Sequence, residues 1–239
     1  MWIEYQWRTV LAYLPDYLNA AVLALRITVL GFLLAFALAM IAALARNSAL
    51  RILRILAACY VEAIRNTPVL LQIFIVYFAM PSFGIRLSAV TAGTIALGVN
   101  VGAYLTEVVR AGISSVGKEQ LEAAQILGLS KAHVFVYVVA PQALRNVYPA
   151  LVNNLVQVLL GTSLLSTIAV PEITGVATVI NARTLLFVQV FGIAVALYLL
   201  LSYGLSALAA LIERLAFRAP ATGRTRKRTT VLNLIGARP

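Results

Sequence analysis

Two amide side chains stand inside a long apolar run in the second half of the chain. Asn153 and Gln157 are four residues apart, and no charged residue occurs between 146 and 171. Residues at that spacing share one face of an α-helix. Amides on such a face can hydrogen-bond a polar solute that passes along it, or they can bond a neighbouring helix, and the spacing leaves both functions open. The hydroxyl side chains that extend this polar surface are Thr162 and Ser163.

A second group of residues could dock a partner protein. The stretch EAAQILGLS, at 122–130, separates two apolar runs, and the sequence predicts a short helix over Lys118–Leu127 that ends at Gly128. Ala123 and Ala124 would give this helix a low surface that another protein can approach closely. The alternative is a structured loop whose alanines serve only to favour helix formation.

The segment that follows is predicted to form another short helix. Ser130 can cap a helix over Lys131–Val139, which is expected to end before Pro141. The only histidine, His133, is expected to be a solvated residue of that helix, because no nucleophile or carboxylate relay is suggested near it. No catalytic residue is predicted.

The composition indicates a membrane protein. Of the 239 residues, 62% are hydrophobic and 11% are charged, whereas a soluble domain has about 45–50% apolar and about 25% charged residues. One water-soluble core cannot hide so much apolar surface. The single cysteine, Cys59, forms no disulfide within the chain and provides no metal cluster, so neither a metal nor a cofactor is expected in this chain.

Five segments are predicted to be transmembrane helices, since a span needs about 20 residues with few charges. The second span is expected to begin near Ala57 and to include Glu62 and Arg65. Gly98 and Gly102 in the third give a small-residue step suited to close helix packing. The charge-free runs are Ile27–Ala45, Asn66–Ile85, Leu87–Thr106, Asn146–Pro171 and Thr184–Ile212.

The distribution of basic residues predicts the orientation. With five spans and the N-terminus outside, 15 of the 19 Lys and Arg residues fall in cytoplasmic segments, as the positive-inside rule requires. The net charge of +11 is therefore attributed to topology and to anionic lipid, not to nucleic acid. The predicted regions are an N-terminal interfacial segment at 1–19, a transmembrane domain at 20–217 with a loop at 111–148, and a basic cytoplasmic tail at 218–239.

Charged residues near the span ends could form pairs. Glu62 and Arg65 are three apart on one helical face and could pair, or Arg65 could anchor the span at the membrane boundary. Glu107 and Arg110 repeat that arrangement. Glu172 is expected on the outer face, where it could contact a docking protein or simply be solvated.

The loop sequence resembles the "EAA loop" of permease subunits of bacterial ATP-binding-cassette importers. That pattern is Glu-Ala-Ala, three residues, Gly, and further on a hydrophobic-Pro pair, which here ends at Pro141. The stretch YVEAIRNTPVLLQIFIVYF is similar to the Arg-Gly-Thr-Pro segment of the polar amino-acid permeases, and NVGAYLTEVVRAGISSVGKEQLEAA and GTSLLSTIAVPEIT also resemble that subfamily. The resemblance covers residues 18–217.

This resemblance implies the all-α transmembrane fold of a type I importer with a cytoplasmic coupling helix. The helix would dock in a cleft on a separate ATPase subunit, which would bind ATP and magnesium. The chain itself has no Gly-x-x-x-x-Gly-Lys-Ser/Thr loop, so the energy must come from a partner. The coupling residues implied are Gln120, Glu122, Ala123, Ala124 and Gly128.

The resemblance also implies a substrate path between two permease subunits. Many relatives carry a Lys-Asp or Lys-Asn pair where this chain has Leu160 and Gly161. A charged contact with the substrate is therefore missing here, and the partner permease would supply it, or recognition would rest on the external binding protein. The residues implied to line the path are Thr67, Gln72, Asn153, Gln157, Thr162 and Ser163.

The predicted function is the permease subunit of an ATP-driven importer for a polar amino acid in the bacterial inner membrane. Its expected partners are ATPase subunits, a periplasmic or extracellular amino-acid-binding protein, a second permease copy or paralogue, and membrane lipid. The alternatives are transport of an opine or another small zwitterion, and a scaffold without transport. An intramembrane enzyme is disfavoured because the span cores carry no charge.

Overall fold

Helices form the regular secondary structure of residues 2–217, which this computed structural model describes; the predicted tail at 218–239 lies outside them. The helices are α1 Trp2–Leu11, α2 Leu14–Arg46, α3 Arg51–Arg65, α4 Val69–Phe74, α5 Ala89–Ser114, α6 Lys118–Ile126, α7 Lys131–His133, α8 Ala140–Gly161, α9 Ile173–Thr184 and α10 Phe187–Ala216.

Four continuous helical segments are long and apolar enough to cross a membrane. Within residues 2–217 they are α2, α5, the run Lys131–Ile168 and α10, and the bent pair Arg51–Arg65 and Val69–Phe83 gives a fifth when it is counted as one span. The structure thus has four to five candidate spans where the sequence predicted five, and the helices extend beyond the charge-free runs. The predicted boundary between an interfacial segment and the transmembrane domain, at residues 19 and 20, falls inside α2.

The sequence predicted one transmembrane helix for the second span, but in the structure this span is sharply bent. Its two parts meet at an angle of 108°, and we call residues 66–68 between them the joint. Pro68 lacks an N–H group and disfavours a helical conformation at Thr67, so the helix must end here. After α4 the chain continues through a π-helical turn, Ile75–Ala79, and a 3₁₀ turn, Met80–Phe83, before Gly84 at φ +79°.

The third long segment begins 15 residues before the predicted span. A π-helical stretch, Val134–Val139, joins α7 to α8, and a 3₁₀ stretch, Thr162–Ile168, extends α8. The prediction that a helix ends before Pro141 is wrong. Pro141 lies in the first turn of α8, directly after the π-helical stretch, where its missing N–H group is tolerated.

The helices pack with α2 and α5 parallel and α8 antiparallel to α5. Arg46 lies 3.7 Å from Glu107 near the C-terminal ends of α2 and α5, and Gly112 of α5 faces Val147 of α8. We call the end of the bundle that contains Arg46, Ser114 and Ala140 the loop end. The opposite end contains the beginnings of α2, α5 and α10.

Small residues bring α2 and α5 into close contact. A Cβ atom at Gly98 would lie 3.1 Å from the Gly31 carbonyl oxygen, and one at Gly102 would lie 3.2 Å from that of Ala35. The predicted small-residue step at Gly98 and Gly102 is therefore confirmed. Tyr60 of α3 packs beside this contact, and its hydroxyl donates a hydrogen bond to the Val99 carbonyl of α5 at 2.8 Å.

One side chain from the predicted interfacial segment at 1–19, and one that was expected on the outer face, lie inside the bundle. Tyr17 is fully buried and donates a 2.9 Å hydrogen bond to the Val190 carbonyl of α10. Glu172 is also fully buried, so its predicted exposure to a docking protein or to solvent is wrong. The sequence had suggested a loop here, whereas Glu172 begins the unpredicted helix α9.

Glu172 joins α9 to α10. Its carboxylate accepts from the backbone N–H groups of Gly175 at 2.7 Å and Thr174 at 3.0 Å, and from the Tyr198 hydroxyl at 2.5 Å. Burial raises the pKa of the Glu172 carboxyl, and these hydrogen bonds oppose the increase. A cap of this kind satisfies the free N–H groups of a helix start inside the protein.

We predict that Gly102→Ala weakens the contact between α2 and α5. The added Cβ would lie 2.9 Å from the Tyr60 hydroxyl oxygen and 3.2 Å from the Leu38 Cβ, and such overpacking should cost about 1–2 kcal/mol after the gain in helix propensity. The apparent melting temperature in detergent, followed by circular dichroism, should fall. Gly204→Ala is the control because no atom lies within 4 Å of the added Cβ; equal melting temperatures for the two variants would contradict the prediction.

Candidate functional sites: an exposed loop helix and a polar cavity

Helix α6 is held firmly against the loop end of the bundle. Ala124 is 5% exposed and packs in a cluster with Val116, Val134 and Val139. The Gln142 amide donates to Gln120 Oε1 at 2.6 Å. These contacts join α6 to the π-helical stretch and to α8, so α6 and the third long segment should move together.

The outward side of α6 is apolar at its C-terminal end. Ile126 is 86% exposed and Leu127 is 78% exposed, although the helix is otherwise polar at its surface. Sequence reasoning missed both residues because they continue the hydrophobic pattern of a buried helix. Of the residues implied to couple, Glu122, Ala123 and Gly128 are exposed with them, and Gln120 is exposed but bonded to Gln142. We call the group Glu122, Ala123, Ile126, Leu127 and Gly128 the α6 surface.

The end of α6 has the geometry that the sequence predicted. Gly128 is left-handed at φ +74°, its N–H donates to the Gln125 carbonyl at 2.9 Å, and the Leu129 N–H donates to the Ala124 carbonyl at 3.2 Å. This pair of bonds is a Schellman motif, which favours glycine at the left-handed position. The Ser130 hydroxyl then accepts from the His133 N–H at 3.4 Å and caps α7, as predicted.

Side chains form hydrogen bonds to the backbone carbonyl groups at the joint in the second span. The Gln72 amide donates to the Ile64 carbonyl at 2.9 Å and to the Thr67 hydroxyl at 2.7 Å, and the Thr67 hydroxyl donates to the Ala63 carbonyl at 2.9 Å. Asn100 of α5 donates to Gln72 Oε1 at 3.0 Å. Thr67 and Gln72 are thus brought together, but their polar atoms serve the carbonyl groups that a broken helix leaves free.

Asn66 and Tyr104 also approach backbone carbonyl groups at the joint. The Asn66 amide donates to the Glu62 carbonyl at 2.8 Å, and the Tyr104 hydroxyl lies 3.5 Å from the Arg65 carbonyl oxygen. Asn66 also donates to the Glu62 carboxylate at 3.2 Å. Glu62 and Arg65 do not pair among the described residues, whereas the predicted pair of Glu107 and Arg110 is present at 2.9 Å.

A polar cavity lies beside the joint, between the end of α3, α5 and α8. Its volume is about 650 Å³, within the range of small-molecule sites. Asn153 and Gln157 line it, as the shared-face argument predicted, and Arg65 and Glu107 face them from α3 and α5. We call this space the polar cavity; its lining residues are Arg65, Val101, Tyr104, Glu107, Val108, Ala111, Asn153, Asn154 and Gln157.

The charges that line the polar cavity are not equivalent. Glu107 is neutralised by Arg110, which donates to both carboxylate oxygens at 2.9 Å, and by Arg46 at 3.7 Å. Arg65 forms no ion pair among the described residues; its guanidinium carbon lies 5.4 Å from the centre of the Tyr104 ring. The cavity therefore contains a cation that lacks a counter-ion.

The side-chain amides of Asn153 and Gln157 remain available to bind a solute. Asn153 and Gln157 are exposed and have no side-chain hydrogen bond within the described part of the chain. Polar groups without partners inside a membrane span are costly unless they face water or a ligand. Asn154 differs, because its amide donates to the Ala150 carbonyl at 2.8 Å.

The predicted hydroxyl residues lie elsewhere. Thr162 is fully buried and donates to the Leu159 carbonyl at 2.7 Å, and Ser163 donates to the Leu160 carbonyl at 2.7 Å. Ser163 lines a different space, between α8 and α10, beside Tyr198. The structure thus divides the six predicted path residues among the joint, the polar cavity and the 3₁₀ stretch.

A family profile matches most of the bundle. Residues 31–218 match the binding-protein-dependent transport system inner membrane component. The chain belongs to this family. The chain is also similar to the L-cystine transport system permease protein TcyB of Bacillus subtilis, which is 40% identical over 189 residues, 79% of this chain and 81% of the relative. The octopine transport system permease protein OccM of Rhizobium radiobacter is 36% identical over 216 residues, 87% of this chain and 86% of the relative.

The fold of this family member matches a solved structure. A crystal structure of an amino acid ABC transporter with histidines superposes with a TM-score of 0.80 at 33% sequence identity, covering 85% of this chain and 95% of the other. The prediction of a type I importer transmembrane fold is thereby confirmed. The chain is a multi-pass permease-family protein whose helices carry both the polar cavity and the α6 surface.

We predict that Gln72→Leu destabilises the joint. The substitution removes the donor that satisfies the Ile64 carbonyl and leaves Asn100 without its acceptor, which should cost about 1–3 kcal/mol. The apparent melting temperature in detergent should fall clearly. Gln125→Leu, an exposed substitution on α6, is the matched control; unchanged melting of Gln72→Leu would show that the joint does not depend on this side chain.

Proposed function

We propose that this chain is the membrane permease subunit of an ATP-driven importer that carries a polar amino acid across the bacterial inner membrane. The polar cavity is the observation that carries this proposal. It places one unpaired guanidinium and two unbonded amides within the membrane spans, next to a neutralised carboxylate. Polar groups of this kind inside a span are characteristic of a solute pathway.

The chemistry of the cavity suits an α-amino acid. The Arg65 guanidinium can bind a carboxylate through two parallel hydrogen bonds. The amide oxygens of Asn153 and Gln157 can accept from an ammonium group, and their N–H groups can donate to a polar side chain. Among the described residues that line the cavity, the other charged side chain is Glu107, which is already paired, so a polar, uncharged side chain is the best match.

Transport of an opine is the second candidate function, and one observation favours it. The octopine permease OccM is 36% identical to this chain over most of its length. An opine carries an additional carboxylate, however, and the polar cavity contains a single unpaired cation among its described residues. The amino acid is therefore the preferred substrate class.

The α6 surface supports coupling to a separate ATPase, which would bind ATP and magnesium. Glu122, Ala123, Gly128 and the apolar pair Ile126 and Leu127 would enter a cleft on that subunit. Ala124 and Gln120 would contribute indirectly, because they attach α6 to the bundle and do not contact the ATPase. Closure of the ATPase would then move α6 and the attached third segment as one body.

The remaining parts of the assembly follow from the same proposal. The polar cavity is partly open, and a second permease copy or paralogue would close it. The loop end would face the cytoplasm, so that the N-terminus is outside and the tail at 218–239 is inside, near anionic lipid. An external amino-acid-binding protein would deliver substrate at the opposite end.

We predict that Leu127→Asp abolishes coupling without unfolding the chain. Leu127 is 78% exposed in the isolated subunit, so only an interface should lose apolar contact and gain a buried charge. Co-purification of the ATPase from membranes should fall at least about tenfold, and ATP-driven uptake should be lost. Leu127→Met, which retains the apolar area, should behave as wild type. Normal co-purification of Leu127→Asp would contradict the assignment of the α6 surface, whereas a wild-type chain that recovers no ATPase would favour a scaffold without transport.

We predict that Arg65→Gln weakens substrate binding in the polar cavity. Loss of a charged hydrogen-bond pair costs about 1.5–3 kcal/mol, which raises KM roughly 10–100-fold. Arg65→Lys should retain part of the affinity, because the charge remains while the bidentate geometry is lost. The measurement is uptake of labelled amino acids by the complete transporter in proteoliposomes, with Arg51→Gln as an exposed control. An unchanged KM for Arg65→Gln would place the pathway elsewhere.

A further inference from the structure

A second cavity lies at the opposite end of the bundle. It is bounded by the first three turns of α2, the turn at 169–171 and one side of α9, and its volume is about 630 Å³. The residues that line it include Asp16, Asn19, Ser166 and Arg183. It shares no lining residue with the polar cavity. We call it the second cavity.

Two opposite charges face this space from different helices. Asp16 lies in the first turn of α2, and Arg183 lies in the last turn of α9. Among the described residues, neither side chain forms a hydrogen bond or an ion pair, although both line one cavity. An acid and a base that remain apart across a cavity provide separate partners for a ligand that carries both charges.

The walls that carry these charges are fixed by burial. Tyr17 and Ala20 of α2 pack in one core cluster with Ala177 and Ile180 of α9. At the start of α9, a Cβ on Gly175 would lie 2.2 Å from the Val170 carbonyl oxygen, so the turn and the helix are in direct backbone contact. The backbone positions of Asp16 and Arg183, whose side chains are exposed, are thus set by packed helices, as a binding site requires.

We propose that the second cavity binds the zwitterion of an α-amino acid, with Arg183 bound to the carboxylate and Asp16 to the ammonium group. Asn19 and Ser166 provide hydrogen bonds for a polar side chain. The proposal rests on the proposed function, since it gives the transported class of solute a separate site at the entrance. A peptide surface would supply only side-chain charges, whereas a free amino acid supplies both charges within one small molecule that fits the cavity.

The test measures amino-acid binding to the complete transporter, purified in nanodiscs with its co-purifying subunits and without any external binding protein. The probes are ¹⁴C-labelled L-glutamine, L-arginine and L-cystine, each followed by equilibrium dialysis. Wild type should bind two molecules of a suitable probe per permease chain. Arg183→Gln and Asp16→Asn should each weaken the affinity of the same site, the second cavity, roughly 10–100-fold. The methyl ester of the probe should not compete at that site.

Two controls separate this proposal from the proposed function. Arg86→Gln removes another exposed arginine near the turn between the second and third spans, outside the cavity lining, and should bind as wild type. Arg65→Gln should weaken only the other site. Binding that is lost in Arg65→Gln and unaffected in Arg183→Gln would overturn the second site while leaving the proposed function intact.

Other outcomes are equally decisive. Binding that depends on Arg183 and Asp16, with no contribution from Arg65, would support the second site and count against the polar cavity as the pathway. No saturable binding of any probe to wild type would overturn the proposal. So would an Arg183→Gln variant that binds amino acids normally but no longer docks a binding protein, because the cavity would then serve a protein surface.

Discussion

The structure depends on one constraint, which is that every backbone polar group in a membrane span must find a partner inside the protein. The joint in the second span would violate this constraint if it were left open. Gln72, Thr67 and Asn66 instead supply donors to the carbonyl groups at the end of α3, and Asn100 fixes Gln72 to α5. The bend of 108° therefore does not leave these carbonyl groups without partners. It brings Arg65 against the Tyr104 ring and so creates one wall of the polar cavity.

Local charge balance decides which groups in that cavity remain available. Glu107 has two arginines close to it, so its charge is used within the chain. Arg65 has an aromatic ring and no carboxylate, and Asn153 and Gln157 have no side-chain partners in the described part of the chain. An uncompensated cation and free amides are unstable in hydrocarbon, and they are stable beside water or a polar ligand. The same reasoning applies at the opposite end, where Asp16 and Arg183 face one space without pairing.

Mechanical continuity links these sites to the loop end. Helix α6 is fixed to the third long segment through Ala124 and the bond between Gln120 and Gln142. That segment carries Asn153 and Gln157 in its middle and ends beside the turn that leads to α9. Its π-helical and 3₁₀ stretches are places where helix geometry changes most easily. A displacement of α6 thus has a direct path to the residues that line the polar cavity.

Much of this architecture follows from the sequence. Hydrophobic runs predict the candidate spans, and Gly128 and Ser130 predict the end of α6 and the start of α7, because these features depend on residues close in the chain. Gly98 and Gly102 likewise predicted a close helix contact. The four-residue spacing of Asn153 and Gln157 correctly placed both on one side of a helix.

Only the tertiary structure decided which partners these residues meet. Glu172 followed a proline in what resembled an outer loop, yet Tyr198, 26 residues later, encloses it. Arg65 was expected to pair with Glu62 or anchor the span, and the bend at Pro68 turned it towards α5 and α8. Thr162 and Gln72 were polar residues in apolar runs, and packing committed both to backbone carbonyl groups. Sequence determines hydrophobicity and local helix geometry, whereas burial, charge pairing and cavities arise from contacts between distant segments.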